Sequence, residues 1–148
     1  MKTTIQIYLD TNTLGFEEYE QISKLPEECK ITLLCSKEAR QTIPVSLLIW
    51  ALQARNKIDW VQIDAKESNR DGVICYEVGR LLGKRVRTRK LLPLYLISKD
   101  ERLHTAAKNL EVLFPSEQYG SVKCCQNIQE ALNLIEPENA SKKNSLHS

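Results

Sequence analysis

Apolar and polar positions fall in blocks along the chain, and the blocks predict strands and helices in turn. Ile5 to Leu9 is a short β-branched run that stops at Asp10, which reads as a strand with a polar C-terminal end. Phe16 to Leu25 predicts a short helix closed near Pro26, and Lys30 to Cys35 a second strand. Pro44 to Asn56 is strongly helical, with proline where its missing N–H costs nothing. Ile58 to Ile63 alternates and predicts a third strand. From Asn69 to Leu82, the apolar residues Val73, Ile74, Val78, Leu81 and Leu82 recur at helical spacing, with Gly83 at the C-cap position. Leu91 to Ile97 is strongly apolar and so predicts a central fourth strand. A helix over 101–109, a short strand over 122–124 and a last helix over 128–135 complete the pattern.

Strands that alternate with helices predict an α/β three-layer sandwich around a central, mostly parallel sheet of four to five strands. One domain is expected over residues 1–136, with no internal repeat, followed by a disordered polar tail at 137–148. Right-handed crossovers bring the C-terminal ends of parallel strands to one edge of the sheet, where open α/β folds bind ligands.

Composition narrows the function classes only a little. The 148 residues suffice for a buried core, and 42% apolar with 27% charged residues is ordinary for a globular domain. A net charge of +2 neither requires nor excludes nucleic acid. No apolar run approaches the roughly 20 residues needed to span a bilayer, and the first ten residues do not read as a signal peptide. A cytoplasmic protein with no membrane partner is expected. The five cysteines (Cys29, Cys35, Cys75, Cys124 and Cys125) show no CxxC spacing, and only His104 and His147 accompany them. That pattern argues against zinc and for reduced structural thiols.

The chemistry concentrates in acidic residues. Asp10 ends the first strand, Ser98 and Asp100 follow the fourth, and Asp71 lies in the first turn of the helix that begins near Asn69. All three aspartates are therefore expected on the ligand-binding edge. Clustered carboxylates repel one another and lose solvation, which a divalent cation relieves, and hard oxygen donors suit Mg²⁺ or Mn²⁺. Asn12, Asn69 and Ser98 add supporting polar groups. The plainer reading gives each aspartate a cap or turn to hold, and Asp71 a helix dipole.

Three segments in order, DTN at 10–12, NRDGVICYEVGRL at 69–81 and LISKD at 96–100, resemble the PIN-like nucleases, in particular their NYN branch. The resemblance covers roughly residues 5 to 110. It implies that Asp10, Asp71 and Asp100 are catalytic metal ligands, with Asn12 and Ser98 at the supporting positions. Many members carry a further Asp two residues after the last ligand, where this chain has Arg102. Glu77 lies six residues after Asp71, about 120° round the helix, and reads as structural or salt-bridged. Glu67 is a comparable outsider.

The expected activity is metal-dependent endonucleolytic hydrolysis of single-stranded RNA, with DNA an open alternative. A cation-activated water would attack the phosphodiester. Family analogy adds a toxin or defence role with an antitoxin, an assembly partner or a second copy of the chain. Lys37, Arg40, Arg70, Lys99 and Arg102 are the side chains expected to hold phosphates, although each reads equally well as a solvated charge. The run KRVRTRK at 84–90 falls at the opposite edge, as a remote anchor or a plain loop. Trp50 reads as core, Trp60 as facing a neighbouring helix, and His104 as a helix-surface histidine. Two rivals stand beside the nuclease. DTNT at 10–13 and Ser36 partly match a haloacid-dehalogenase-like phosphotransferase, with Asn12 in place of the general acid. A thinned acidic set also fits a catalytically weakened PIN-like subunit that binds RNA or protein.

Overall fold

The computed structural model describes residues 5–36, 49, 52–53, 55–63, 69–84, 93–115 and 119–135. Its centre is one five-stranded, all-parallel sheet. In chain order the elements are β1 (Ile5–Asp10), α1 (Phe16–Glu20) with a 3₁₀ turn (Gln21–Lys24), β2 (Cys29–Ser36), β3 (Ile58–Ile63), α2 (Arg70–Lys84), β4 (Leu94–Ile97), α3 (Glu101–Leu113) and β5 (Val122–Cys125). A last helix, α4, covers 128–135. The strand order is β3-β2-β1-β4-β5. The winding therefore reverses between β1 and β4, which is the place where open parallel sheets form a ligand crevice.

Alternate residues on each strand face opposite layers, and the apolar pattern follows that period. Ile5, Ile7, Leu9, Ile31, Leu33, Tyr95 and Ile97 cluster with Leu14, Tyr19 and Ile22 on one face, where Ile128, Ala131, Leu132 and Ile135 of α4 complete the layer. Tyr8, Leu34, Leu94 and Leu96 face the other way, onto Ile74 and Val78 of α2 and Leu103, Ala107 and Leu110 of α3. Fully burying each aliphatic side chain contributes about 1.5–3 kcal/mol, so the two clusters supply most of what holds the layers together. The architecture is thus the α/β three-layer sandwich expected from the alternation.

Several boundaries differ from the sequence reading. The first helix tightens to 3₁₀ after Glu20. α2 runs through Gly83 to Lys84, so Gly83 is inside the helix and does not cap it. α3 continues past 109 to Leu113, and its buried stripe of Leu103 and Ala107 extends to Leu110. His104 is buried at 8% exposure and is not a surface residue. Trp60, on the edge strand β3, is 41% exposed where a helix contact was expected. Residues 44–48, 50, 85–92 and 136–148 lie outside the described residues, and with them Trp50, most of KRVRTRK and the polar tail. No helix among the described residues is long and apolar enough to cross a membrane. All five cysteines are free thiols.

Candidate functional site

Sheet register builds the site. β1 pairs with β2 through Asp10 opposite Leu34, and with β4 through Leu9 opposite Ile97. The next step along β4 sets Ser98 beside Asp10. They stand two residues after Tyr8 and Leu96, on the same face, and so both face the layer of α2 and α3. Beyond the strand end, the backbone N–H and hydroxyl of Thr11 both donate to the Leu34 carbonyl, extending the β1–β2 pairing by one residue.

Asp10 is 0% exposed, a position that a lone carboxylate tolerates only when its oxygens are paired. Ser98 Oγ donates to Oδ2 at 2.7 Å, and the Asn12 backbone N–H donates to Oδ1 at 3.3 Å. Thr13 Oγ1 donates to Oδ2 at 3.4 Å. The Arg70 guanidinium grips both oxygens, with Nη1 on Oδ2 at 3.2 Å and Nη2 on Oδ1. Arg70 is itself 5% exposed, and its Nε has no hydrogen-bond partner among the described residues. Arg70, expected among the phosphate-holding side chains, is thus buried against a carboxylate.

Ser98 joins this centre to the next. Its Oγ accepts the Asp100 backbone N–H at 3.1 Å while donating to Asp10. Thr13 Oγ1 lies 3.2 Å from Ser98 Oγ and accepts the Lys99 backbone N–H at 3.0 Å. Asp100 is the N-cap of α3, its Oδ1 accepting from the Arg102 backbone N–H at 3.0 Å. The capping reading of Asp100 therefore holds, and it does not use up the carboxylate. Asp71, in the first turn of α2, meets Asp100 side chain to side chain. Burial, then the negative charge of Asp100 and a hydrogen bond shared with it, push the Asp71 carboxyl above the usual carboxylate range. The positive charges of Arg102 and Arg70 pull it partly back.

The fold therefore brings Asp10, Asp71, Asp100, Ser98, Asn12 and Thr13 to one edge at the β1/β4 switch point. Asn12 contributes its backbone N–H there. Asn69 is exposed ahead of α2, and Lys99 and Arg102 are exposed on the α3 side. Lys37 and Arg40 lie outside the described residues, as does Glu67. Glu77 is salt-bridged to Arg80 at 3.0 Å, away from this cluster. The sequence reading gave Arg70 the wrong partner and missed Thr13. Arg70 was detectable as a core-facing position, since it stands four and eight residues before the buried Ile74 and Val78. Thr13 was visible in DTNT, but its bond to the fourth strand's exit was not.

A divalent cation held by three carboxylates needs a free lone pair on each. Asp71 and Asp100 meet that requirement, as facing carboxylates with a charge deficit between them. Asp10 does not in this arrangement, because Arg70 and Ser98 take its oxygens. Accordingly, no three acidic, thiol or imidazole groups among the described residues are placed to hold a metal ion. Comparison of the chain with models of known families, with curated proteins and with solved structures finds no match. The site must therefore be read from its own chemistry.

Proposed function

We propose that the chain is a metal-dependent endoribonuclease acting on single-stranded RNA, with Asp71 and Asp100 holding Mg²⁺ or Mn²⁺ and Asp10 as the third carboxylate. The observation that carries the reading is the convergence of three acidic side chains, from stretches about 30 to 90 residues apart in sequence, on the switch-point crevice of a parallel sheet. Two of them face each other closely enough to raise a carboxyl's proton affinity. Such crowding of like charge costs stability, and it is kept where a site needs it. The chemistry a divalent cation supplies at such a place is an activated water and charge neutralisation at a phosphodiester. This chain's residues set the geometry. The α3 cap fixes Asp100, the first turn of α2 fixes Asp71, and Ser98 couples Asp100 to Asp10. Lys99 and Arg102, exposed beside the carboxylates, are placed to meet a phosphate backbone. RNA as the partner, any second copy or antitoxin, and a cytoplasmic location belong to the same proposal.

One observation favours a second reading, a binding subunit that never cuts. The buried Asp10–Arg70 pair satisfies a carboxylate that the nuclease reading needs free. Labelled single-stranded RNA incubated with Mn²⁺, or with a chelator in its place, separates the two. The nuclease reading expects cleavage by the wild-type chain that the chelator abolishes and that Asp71→Asn lowers by about a hundredfold or more. RNA that is bound but stays intact under Mn²⁺ establishes the binding reading. A generic phosphate ester hydrolysed while RNA stays whole points to the phosphotransferase alternative.

A further inference from the structure

Arg70 is held firmly and used only in part. Its side chain is 7% exposed, and Asp10 takes it by the end, through Nη1 and Nη2. In a planar guanidinium that grip leaves Nε–H on the side edge, directed past Asp10. Nε is buried with no partner among the described residues, so this edge lacks an acceptor. The opposite lack stands beside it. Asp71, the next residue of α2, and Asp100 face each other with lone pairs to spare. Ser98 Oγ ties Asp10 Oδ2, at 2.7 Å, to the Asp100 backbone N–H, at 3.1 Å. An unmet donor and unmet acceptors thus lie on one edge of the sheet, a serine apart. Charge then selects the ligand atom. Asp10 already neutralises Arg70, and two further carboxylates stand close, so an anion at Nε would be repelled. The acceptor is therefore an uncharged oxygen. A hydroxyl answers both lacks, since it accepts one hydrogen bond and donates another.

We propose that the side edge of Arg70 reads a ribose hydroxyl, with Nε–H donating to the 2′ oxygen and the Asp71–Asp100 pair accepting the 2′ proton, so that the site takes ribonucleotides in preference to deoxyribonucleotides. This rests on the reading above of single-stranded RNA as the partner, and it needs no cation. The sugar lies inside the rim, which leaves the flanking phosphates to the exposed Lys99 and Arg102. A deoxyribose brings neither the acceptor nor the proton. It leaves the buried N–H unmet, which is how a site built around a hydroxyl rejects the analogue that lacks it. Asp10 keeps a structural task, orienting the guanidinium.

Binding is measured with a chelator present, so that no strand is cut. By fluorescence anisotropy, the wild-type chain is expected to bind labelled single-stranded RNA at least about tenfold more tightly than DNA of matched sequence, or about 1.4 kcal/mol. In ¹H–¹⁵N NMR the Arg70 Nε–H signal, assigned through its own side-chain correlations, is expected to shift with RNA and to stay in place with DNA. Arg70→Lys keeps a cation for Asp10 but has no side edge, so its RNA-to-DNA preference is expected to fall to about one. A folded Arg70→Lys that keeps the preference, or that loses RNA and DNA affinity alike, overturns the role of Arg70. An RNA preference with the Nε–H signal unmoved does the same. If Arg70→Lys does not fold, the two wild-type measurements decide. Equal wild-type affinities for RNA and DNA overturn the hydroxyl contact and leave a nucleic-acid partner standing. Free ribose that shifts the Nε–H signal where RNA does not overturns the assignment to RNA. If neither nucleic acid binds, the RNA reading itself fails and this inference falls with it.

Discussion

Replacing Asp10 by asparagine tests how much of this edge is structural. The side chains of Arg70 and Asp10 are 7% and 0% exposed, so water cannot take the place of a lost partner. The amide would offer one oxygen where the guanidinium now finds two, and would carry no charge. Removing one member of a buried ion pair costs about 3–5 kcal/mol, chiefly because the other charge stays buried and uncompensated. Against a total stability of about 5–15 kcal/mol, that is a third or more of the folding free energy. Arg70→Met should cost the same order, since the Asp10 charge would keep only Ser98, the Asn12 N–H and Thr13. The double variant removes both charges, so its loss should fall short of the two single losses added together by about 2 kcal/mol or more. Urea unfolding followed by circular dichroism, with m-values compared to confirm the same transition, measures all four corners of the cycle. Single losses below about 1 kcal/mol that simply add would refute the buried-pair argument. The result also governs how activity is read: an inactive Asp10→Asn would report a damaged fold as readily as a missing ligand, which is why Asp71→Asn is the better functional probe.

Two further outcomes are expected. Asn127 Oδ1 accepts the Glu130 N–H at 2.8 Å to start the last helix, so Asn127→Ala should lower stability by about 1 kcal/mol in the same urea assay. Burial pushes the thiols of Cys29 and Cys125 up to about 12, above the ordinary value of 9.0, so both should resist iodoacetamide at pH 8 in the native chain and react on unfolding. Because those folded values are raised, the stability they contribute is full below pH 9 and is lost as pH climbs from 9 towards 12, seen as a falling Tm in that window.

The fold was largely legible because its strands are short apolar runs with sharp ends. Ile58–Ile63 matches its sequence boundaries, and β1 runs one residue further, through Asp10 itself. Helix ends were less legible. Gly83 looked like a stop, yet α2 passes through it, since a glycine ends a helix only where the chain turns away. The edge that gathers Asp10, Asp71 and Asp100 followed from topology alone. What did not follow was the pairing of Asp10 with Arg70, 60 residues away. Flanked by Asn69 and Asp71, Arg70 reads as surface when taken with its neighbours, and as core only when taken at helical spacing with Ile74 and Val78. His104 hid in the same way, next to Leu103 and three residues before Ala107 on a buried stripe.

The contact between the first and last helices bears on how the chain is made. Leu14, Tyr19 and Ile22 are made more than 100 positions before the residues that cover them, Ile128, Ala131, Leu132 and Ile135. Glu18 likewise waits for the Ile128 N–H, 110 positions later. On the ribosome the nascent chain therefore carries an uncovered greasy face until those later positions are made, a stretch in which chaperones and aggregation compete for it. Cooperative closure comes only after release of the last helix from the exit tunnel, and the long loop that must close predicts slow folding for a domain of this size.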